Sequence, residues 1–164
     1  MEQHNNIIKS NQNNNENTNA LLIHLSSFAG YFFPLGSIIA PLILWQLFKN
    51  DSPFLDKHGK EALNFNLSFG LYLIIIIVLF CLLLFGFFFG NFFDVYNDSN
   101  FNDPTFDFET DFAYQSISSI IGLIITAFLF CLLSISKIIL IIIATIKANN
   151  AENYHYPLTI KFIK

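Results

Sequence analysis

Three ionisable side chains in a polar connector have the types and spacing that could support chemistry. Asp56, His58 and Glu61 lie within six residues of one another, between two apolar runs. A histidine between carboxylates could act as a general base, and the three groups could ligate a metal ion. A metal site needs three or more converging ligands with supporting partners. His24 lies before Pro34 with no spacing relation to this cluster, so the sequence favours neither a metal nor a catalytic site.

Sequence motifs give no further support for an enzyme. The chain lacks the H-E-x-x-H, G-x-S-x-G, P-loop and dinucleotide-binding glycine patterns. Cys81 and Cys131 lie inside apolar runs, which favours free thiols in a core over a disulfide or a zinc site. The acidic stretch at residues 91–111 lacks the calcium-loop pattern of an EF-hand. We therefore expect no enzymatic activity and no cofactor.

The composition predicts an integral membrane protein. Hydrophobic residues make up 54% of the chain and charged residues only 12%, with 21 Phe among 164 residues. A small soluble domain could not bury this much apolar surface in one core. The net charge is −4 and the chain has no Arg, which argues against a nucleic-acid partner. The lipid bilayer is the partner that this composition predicts.

Three hydrophobic zones must position the polar groups, and they predict an all-α bundle of three or four helices. The second zone, residues 62–90, and the third, residues 112–146, are each long enough to span a bilayer. The first zone, Leu21–Phe48, is broken by Pro34 and Pro41. It is either one kinked span or a pair of half-length helices, and the sequence leaves both open.

The chain before these zones differs sharply in composition. Residues 1–19 contain eight Asn and almost no apolar periodicity, which predicts a disordered tail. The membrane domain is then expected to cover residues 20–164.

The lysines predict the topology, because cytoplasmic loops of membrane proteins are enriched in positive charge. The 49–61 connector and the C-terminal tail each carry three lysines, whereas the 91–111 loop has six acids and no lysine. We therefore expect the connector and the C-terminus to be cytoplasmic and the 91–111 loop to be external. The side of the N-terminus depends on whether the first zone crosses once or returns.

Two stripes of polar residues run along the predicted helices. Ser52 followed by Pro53 is a good helix start, so a helix can begin in the connector and continue into the membrane. Residues on one face recur at helical spacing. The candidate polar face consists of Lys57, Glu61, Asn64 and Ser68 on this helix, and of Gln115, Ser119, Thr126 and Lys137 on the last helix. Such stripes either line a polar cleft or hold helices together.

Three segments carry a family resemblance: HLSSFAGYFFPLGSIIAPLILWQL, SPFLDKHGKEALNFNLS and IKANNAENYHYPLTIKFIK. They resemble a bacterial membrane family of unknown function that is grouped with the chloroplast inner-envelope translocon subunit Tic-twenty and the magnetosome membrane protein MamF. The resemblance covers residues 20–164 and implies a small multi-pass protein of the bacterial cytoplasmic (inner) membrane. For the plastid relative it implies a role in protein import. The signature positions that it marks are Asp56, His58, Gly59, Lys60, Glu61, Asn64 and Phe65.

Two functions of different class follow. The first is a helix-bundle scaffold or assembly partner, which could form a homo-oligomer or bind other membrane proteins. The alternative is a component of a translocation or small-solute pathway. In that case Glu61, Asn64, Gln115 and Lys137 would line a hydrated polar cleft.

Overall fold

The computed structural model describes residues 2–97 and 108–164, and this part of the chain contains helices and turns but no strand. The helices are α1 (Glu2–Leu25), the 3-10 helix η1 (Ser26–Tyr31), α2 (Gly36–Phe48), α3 (Pro53–Asn97) and α4 (Phe108–Asn149). Residues 150–164 follow without a helix and are called the C-terminal segment. The predicted all-α architecture is confirmed.

Two helices contain stretches that are long and apolar enough to cross a membrane, Pro53–Phe89 in α3 and Ile117–Asn149 in α4. In the most apolar 18-residue stretch of α3 no residue is buried. In the corresponding stretch of α4 only 11% of the residues are buried. Exposed Ile, Leu and Phe side chains suit a hydrocarbon environment. The second and third zones thus form the candidate spans. The predicted 91–111 loop is helical at both ends, while residues 98–107 lie outside the described part.

The chain divides into two compact units, and the second unit comprises residues 72–134. In this unit α3 and α4 approach each other at a glycine, because a side chain on Gly122 would come within 3.2 Å of Leu83. Cys81 and Cys131 are both free, as expected. They are exposed on the apolar helix surfaces, however, so the expectation that they lie in a core is wrong.

The first unit comprises residues 1–71 and 135–164 and has its own hydrophobic core. Small residues at the centre of this core allow the helices to approach closely. Partly buried side chains from α2 and the start of α3 cover it. The fully buried members are Ala20, Ile23, Leu55, Ala62 and Ala148, and Leu44, Phe48 and Phe54 pack against them. The core therefore joins all four α-helices.

The structure differs from the prediction of a disordered N-terminal tail, because α1 begins at Glu2. The last turns of α1 are fixed in the core through Ala20 and Ile23. The side chains of residues 13–15, upstream of this core, are exposed, so packing does not hold this turn of the helix. The anchored end supplies the helical nucleus that an isolated Asn-rich peptide would lack.

The first hydrophobic zone is broken at one proline, and not at both. Leu35, directly after Pro34, has a left-handed backbone with φ of 61°, and α2 begins at the next residue. Pro41 lies buried inside α2, so the predicted break there is wrong. A proline in the second turn of a helix removes only one backbone hydrogen bond near the helix end, which this short helix tolerates.

The two halves of the first zone form a helical hairpin. A side chain on Gly36 would overlap the main chain of Ala29, and one on Gly30 would lie 2.7 Å from Ser37 Cβ. These glycines allow η1 and α2 to pack closely on either side of the turn. With 13 residues, α2 is about 20 Å long, which is shorter than a span. The structure therefore has the paired arrangement.

Candidate functional site

Helix α3 begins as the sequence predicts. The Ser52 hydroxyl accepts a hydrogen bond from the Leu55 backbone N–H at 3.3 Å, which is the geometry of a helix N-cap, and Pro53 is the first helical residue. All seven signature positions lie on the first four turns of this helix. The site consists of the contacts that these positions make.

One amide side chain binds the end of the C-terminal segment. Asn64 Oδ1 accepts hydrogen bonds from the backbone N–H groups of Phe162 at 3.0 Å and Ile163 at 2.8 Å. Asn64 Nδ2 donates to the carbonyl oxygen of Ile163 at 2.9 Å. A single buried side chain thus satisfies three main-chain groups of a segment that has no strand partner.

Two further residues on the same face extend this contact. Ser68 Oγ accepts a hydrogen bond from the Ile160 N–H at 2.8 Å and donates to the Asn64 carbonyl oxygen at 2.7 Å. Glu61 Oε1 lies 2.7 Å from His155 Nδ1. Glu61, Asn64 and Ser68, with their partners in the C-terminal segment, are called the clasp. The polar face of α3 that the sequence predicts therefore meets the chain's own C-terminus.

A buried chain of polar rings lies beside the clasp. The Tyr156 hydroxyl is 2.9 Å from His24 Nδ1, and His24 Nε2 is 2.7 Å from His58 Nδ1. The Tyr156 ring stacks on Phe65 with ring centroids 3.9 Å apart. Tyr156 is the buried anchor of the C-terminal segment, and its partners come from α1 and α3. This Tyr156–His24–His58 chain joins three parts of the first unit.

Burial keeps two members of this chain, His24 and Tyr156, neutral. Loss of hydration, and secondly the neighbouring His58, lowers the pKa of His24 from 6.5 to about 3. Burial also raises the pKa of Tyr156 well above 10.0. At neutral pH His24 and Tyr156 are therefore uncharged partners in a buried hydrogen-bonded network.

The His24 pKa predicts a stability that falls with acidity. The unfolded chain takes up a proton on His24 below pH 6.5, but the folded chain does so only near pH 3. Neutral His24 therefore makes its full contribution to folding stability above pH 6.5, and this contribution is lost as the pH falls from 6.5 towards 3. The loss lowers the folding equilibrium constant by up to about tenfold per pH unit. We expect His24→Gln to flatten this dependence in denaturant titrations of detergent-solubilised protein.

The exposed His4 gives a control for this prediction. His4→Gln should leave the pH dependence unchanged. An equal slope for wild type and His24→Gln between pH 7 and pH 4 would show that His24 is not the buried group responsible.

A second cluster fixes the end of α2 against the start of α3. Trp45 Nε1 donates to Asp56 Oδ1 at 2.9 Å, and Asp56 Oδ2 lies 2.7 Å from Lys60 Nζ. Lys49 Nζ lies 5.4 Å from the centre of the Trp45 ring. The ring packs directly on Gly59, where a side chain would overlap it. These contacts account for three signature positions, Asp56, Gly59 and Lys60, through a hydrogen bond, a close approach and an ion pair.

The three residues with candidate chemistry do not converge. Asp56, His58 and Glu61 point to three different neighbours, and the described residues contain no group of three or more His, Cys, Asp or Glu that could hold a metal ion. Their partners are, in order, Lys60, His24 and His155.

The remaining members of the candidate polar face are distributed over both units. Lys57 and Lys137 are half-buried in the first unit, and the Glu61 carboxylate binds His155 rather than Lys137. In the second unit Ser119 and Thr126 are buried, and the Thr126 hydroxyl donates to the carbonyl oxygen of its own helix at Gly122. Gln115 belongs to α4, but its side chain lies outside the described part.

Sequence reasoning missed two of the central residues. His24 was set aside because 34 residues separate it from His58, yet the hairpin of the first zone brings the two rings into contact. The same hairpin places Ser27 2.7 Å from Asn66 Nδ2, so a second buried polar pair joins η1 to α3. Tyr156 was overlooked as part of a tail. The sequence feature that could have identified His24 and Ser27 is a polar side chain among apolar neighbours before Pro34.

Comparison with known protein families matches residues 15–163 to MamF/MmsF, described as the magnetosome magnetite crystal formation protein family. No curated protein and no solved structure matches the chain. The family match agrees with the MamF part of the sequence resemblance and does not mention the plastid translocon subunit.

Proposed function

Because the chain belongs to the magnetosome magnetite crystal formation protein family, we propose that it is a helix-bundle scaffold in the membrane that takes part in this process. Its folded helices would stay at the membrane and act as an assembly partner, either in a homo-oligomer or with other membrane proteins. It would have no enzymatic activity of its own.

The clasp is the observation that carries this proposal. A hydrated path needs polar side chains that are free to meet water or solute. Instead, Glu61, Asn64 and Ser68 are buried and bind the C-terminal segment. Polar groups used in this way fix one arrangement of helices and termini, which supports a structural role.

The exposed apolar surfaces of α3 and α4 support the rest of the proposal. Ile74, Leu82 and Ile124 are each more than half exposed, so these helices offer large surfaces to lipid or to another membrane protein. We place the protein in the bacterial cytoplasmic membrane, crossing it through α3 and α4.

The proposed topology follows from the positions of the lysines along the chain and from the helical hairpin in the first unit. The connector and the C-terminal segment would be cytoplasmic and the 91–111 loop external. The start of α1 would be on the side of the connector, because the hairpin returns within the first unit and α2 leads directly into the connector.

One observation favours the alternative, a translocation or small-solute pathway. Ser119 and Thr126 are buried on α4, and the half-buried Lys137 forms no ion pair within the described residues. A stripe of this kind could border water between helices.

Thiol labelling separates the two functions. In a chain with Cys81 and Cys131 replaced by Ala, single cysteines at Ser68 and Thr126 are exposed to a membrane-impermeant maleimide in native membrane vesicles of both orientations. The scaffold predicts no labelling at either position, because both side chains are buried in packed contacts. The exposed Lys161→Cys is the positive control and should be labelled from the cytoplasmic face. Labelling at position 126 in intact membranes would support a pathway and contradict the scaffold.

A further inference from the structure

The C-terminal segment carries several exposed apolar side chains. Leu158 is 79% exposed, Ile160 43% and Phe162 51%, although all three are large apolar side chains. Lys161 and Lys164 are exposed beside them, and neither forms an ion pair within the described residues. Residues 157–164 include no acid. This end of the chain is therefore both apolar and basic.

Part of the main chain of this segment is already paired. The N–H groups of Ile160, Phe162 and Ile163 donate to the side chains of the clasp. Each N–H group that is paired in this way lowers the cost of placing the segment in a region of low water content.

The clasp lies on α3 directly before the unburied apolar stretch of the helix. Ser68 precedes Tyr72 by four residues, about 6 Å along a helix, and the unburied apolar stretch of α3 begins close to Tyr72. The headgroup layer on each side of a bilayer is several ångströms thick. A segment bound at residues 61–68 of α3 would thus lie at the level of the headgroups.

From this geometry we propose that residues 157–164 form an interfacial strap that binds an anionic lipid surface. Ile160 and Phe162 insert between the lipid headgroups, and Lys161 and Lys164 contact lipid phosphate groups. An amphipathic segment of this composition suits the interface, and lysines near the surface favour anionic lipids. The strap gives the protein a lipid preference that is independent of the proposed scaffold function.

Nitroxide accessibility tests this assignment. Single cysteines at positions 160, 161 and 162 are spin-labelled in chains with Cys81 and Cys131 replaced by Ala. The protein is reconstituted in vesicles of phosphatidylglycerol with phosphatidylethanolamine, or of phosphatidylcholine alone. Collision with oxygen reports lipid, and collision with a water-soluble nickel complex reports water. Ile124→Cys, which is 63% exposed in the second unit, is the lipid reference, and the exposed Asn150→Cys is the water reference.

We expect the oxygen-to-nickel ratio at 160 and 162 to exceed that at 161 severalfold in the anionic vesicles. The ratio at 162 should fall in phosphatidylcholine vesicles, and also when Lys161 and Lys164 are both replaced by Ala. Nickel accessibility at 162 equal to that at Asn150→Cys in anionic vesicles would overturn the strap. Equal ratios in both vesicle types would overturn the anionic preference, and spin coupling between copies would assign the surface to a second copy instead.

Discussion

Replacing Asn64 by Leu is expected to release the end of the C-terminal segment while the helices remain folded. The substitution removes three hydrogen bonds to Phe162 and Ile163 at similar side-chain volume. At about 1 kcal/mol net for each bond, the segment loses about 3 kcal/mol of binding free energy. Hydrogen–deuterium exchange of the C-terminal peptide should then become faster by about a hundredfold.

A matched asparagine provides the control for this prediction. Asn150 is exposed and precedes the clasp in the same segment, so Asn150→Leu should leave exchange at the C-terminus unchanged. If Asn64→Leu leaves exchange of the C-terminal peptide at the wild-type rate, Asn64 does not hold the segment.

Replacing Gly59 by Ala is expected to destabilise the contact between α2 and α3. The added methyl group would overlap the Trp45 ring and would lie 2.8 Å from Trp45 Cβ. Trp45 is also held by Asp56, so it cannot move away without losing that hydrogen bond. Overpacking of this kind costs about 1–3 kcal/mol. Denaturant titrations that follow the fluorescence of Trp45, the chain's single tryptophan, measure the loss directly.

Gly70 on the same helix is the matched control. Apart from the neighbouring backbone of the same helix, no atom of the described residues lies within 4 Å of a Cβ added at Gly70. Gly70→Ala should therefore be neutral or stabilising by about 0.5–1 kcal/mol through helix propensity. A Gly59→Ala variant that is as stable as Gly70→Ala would be inconsistent with the close approach of the Trp45 ring.

Local patterns in the sequence predict the start of α3 and the helical spacing of polar residues along it. The Ser52–Pro53 start of α3 and the helical spacing of Glu61, Asn64 and Ser68 depend on neighbours within a few residues. Backbone geometry and helical periodicity therefore suffice to place them. The apolar runs similarly indicate the two candidate spans, because length and hydropathy are local properties.

Contacts between distant parts of the chain could not be predicted in the same way. Asn64 and Ile163 are 99 positions apart, and no periodicity relates the two. His24 meets His58 only because the chain reverses after Pro34, and the left-handed Leu35 that allows this reversal has no signature in its residue type. At Pro41 the sequence predicts a break that the structure lacks, because a proline near the start of a short helix removes only one backbone hydrogen bond.

The central claim is that the polar face of α3 binds the chain's own C-terminus, and residue-resolved hydrogen exchange of the wild-type protein tests it most directly. We predict protection at Ile160, Phe162 and Ile163, whose N–H groups bind the clasp. Fast exchange is expected at Thr159, Lys161 and Lys164, whose N–H groups form no hydrogen bond with the described residues. Uniformly fast exchange across residues 159–164 would contradict the clasp and leave the polar face of α3 without its partner.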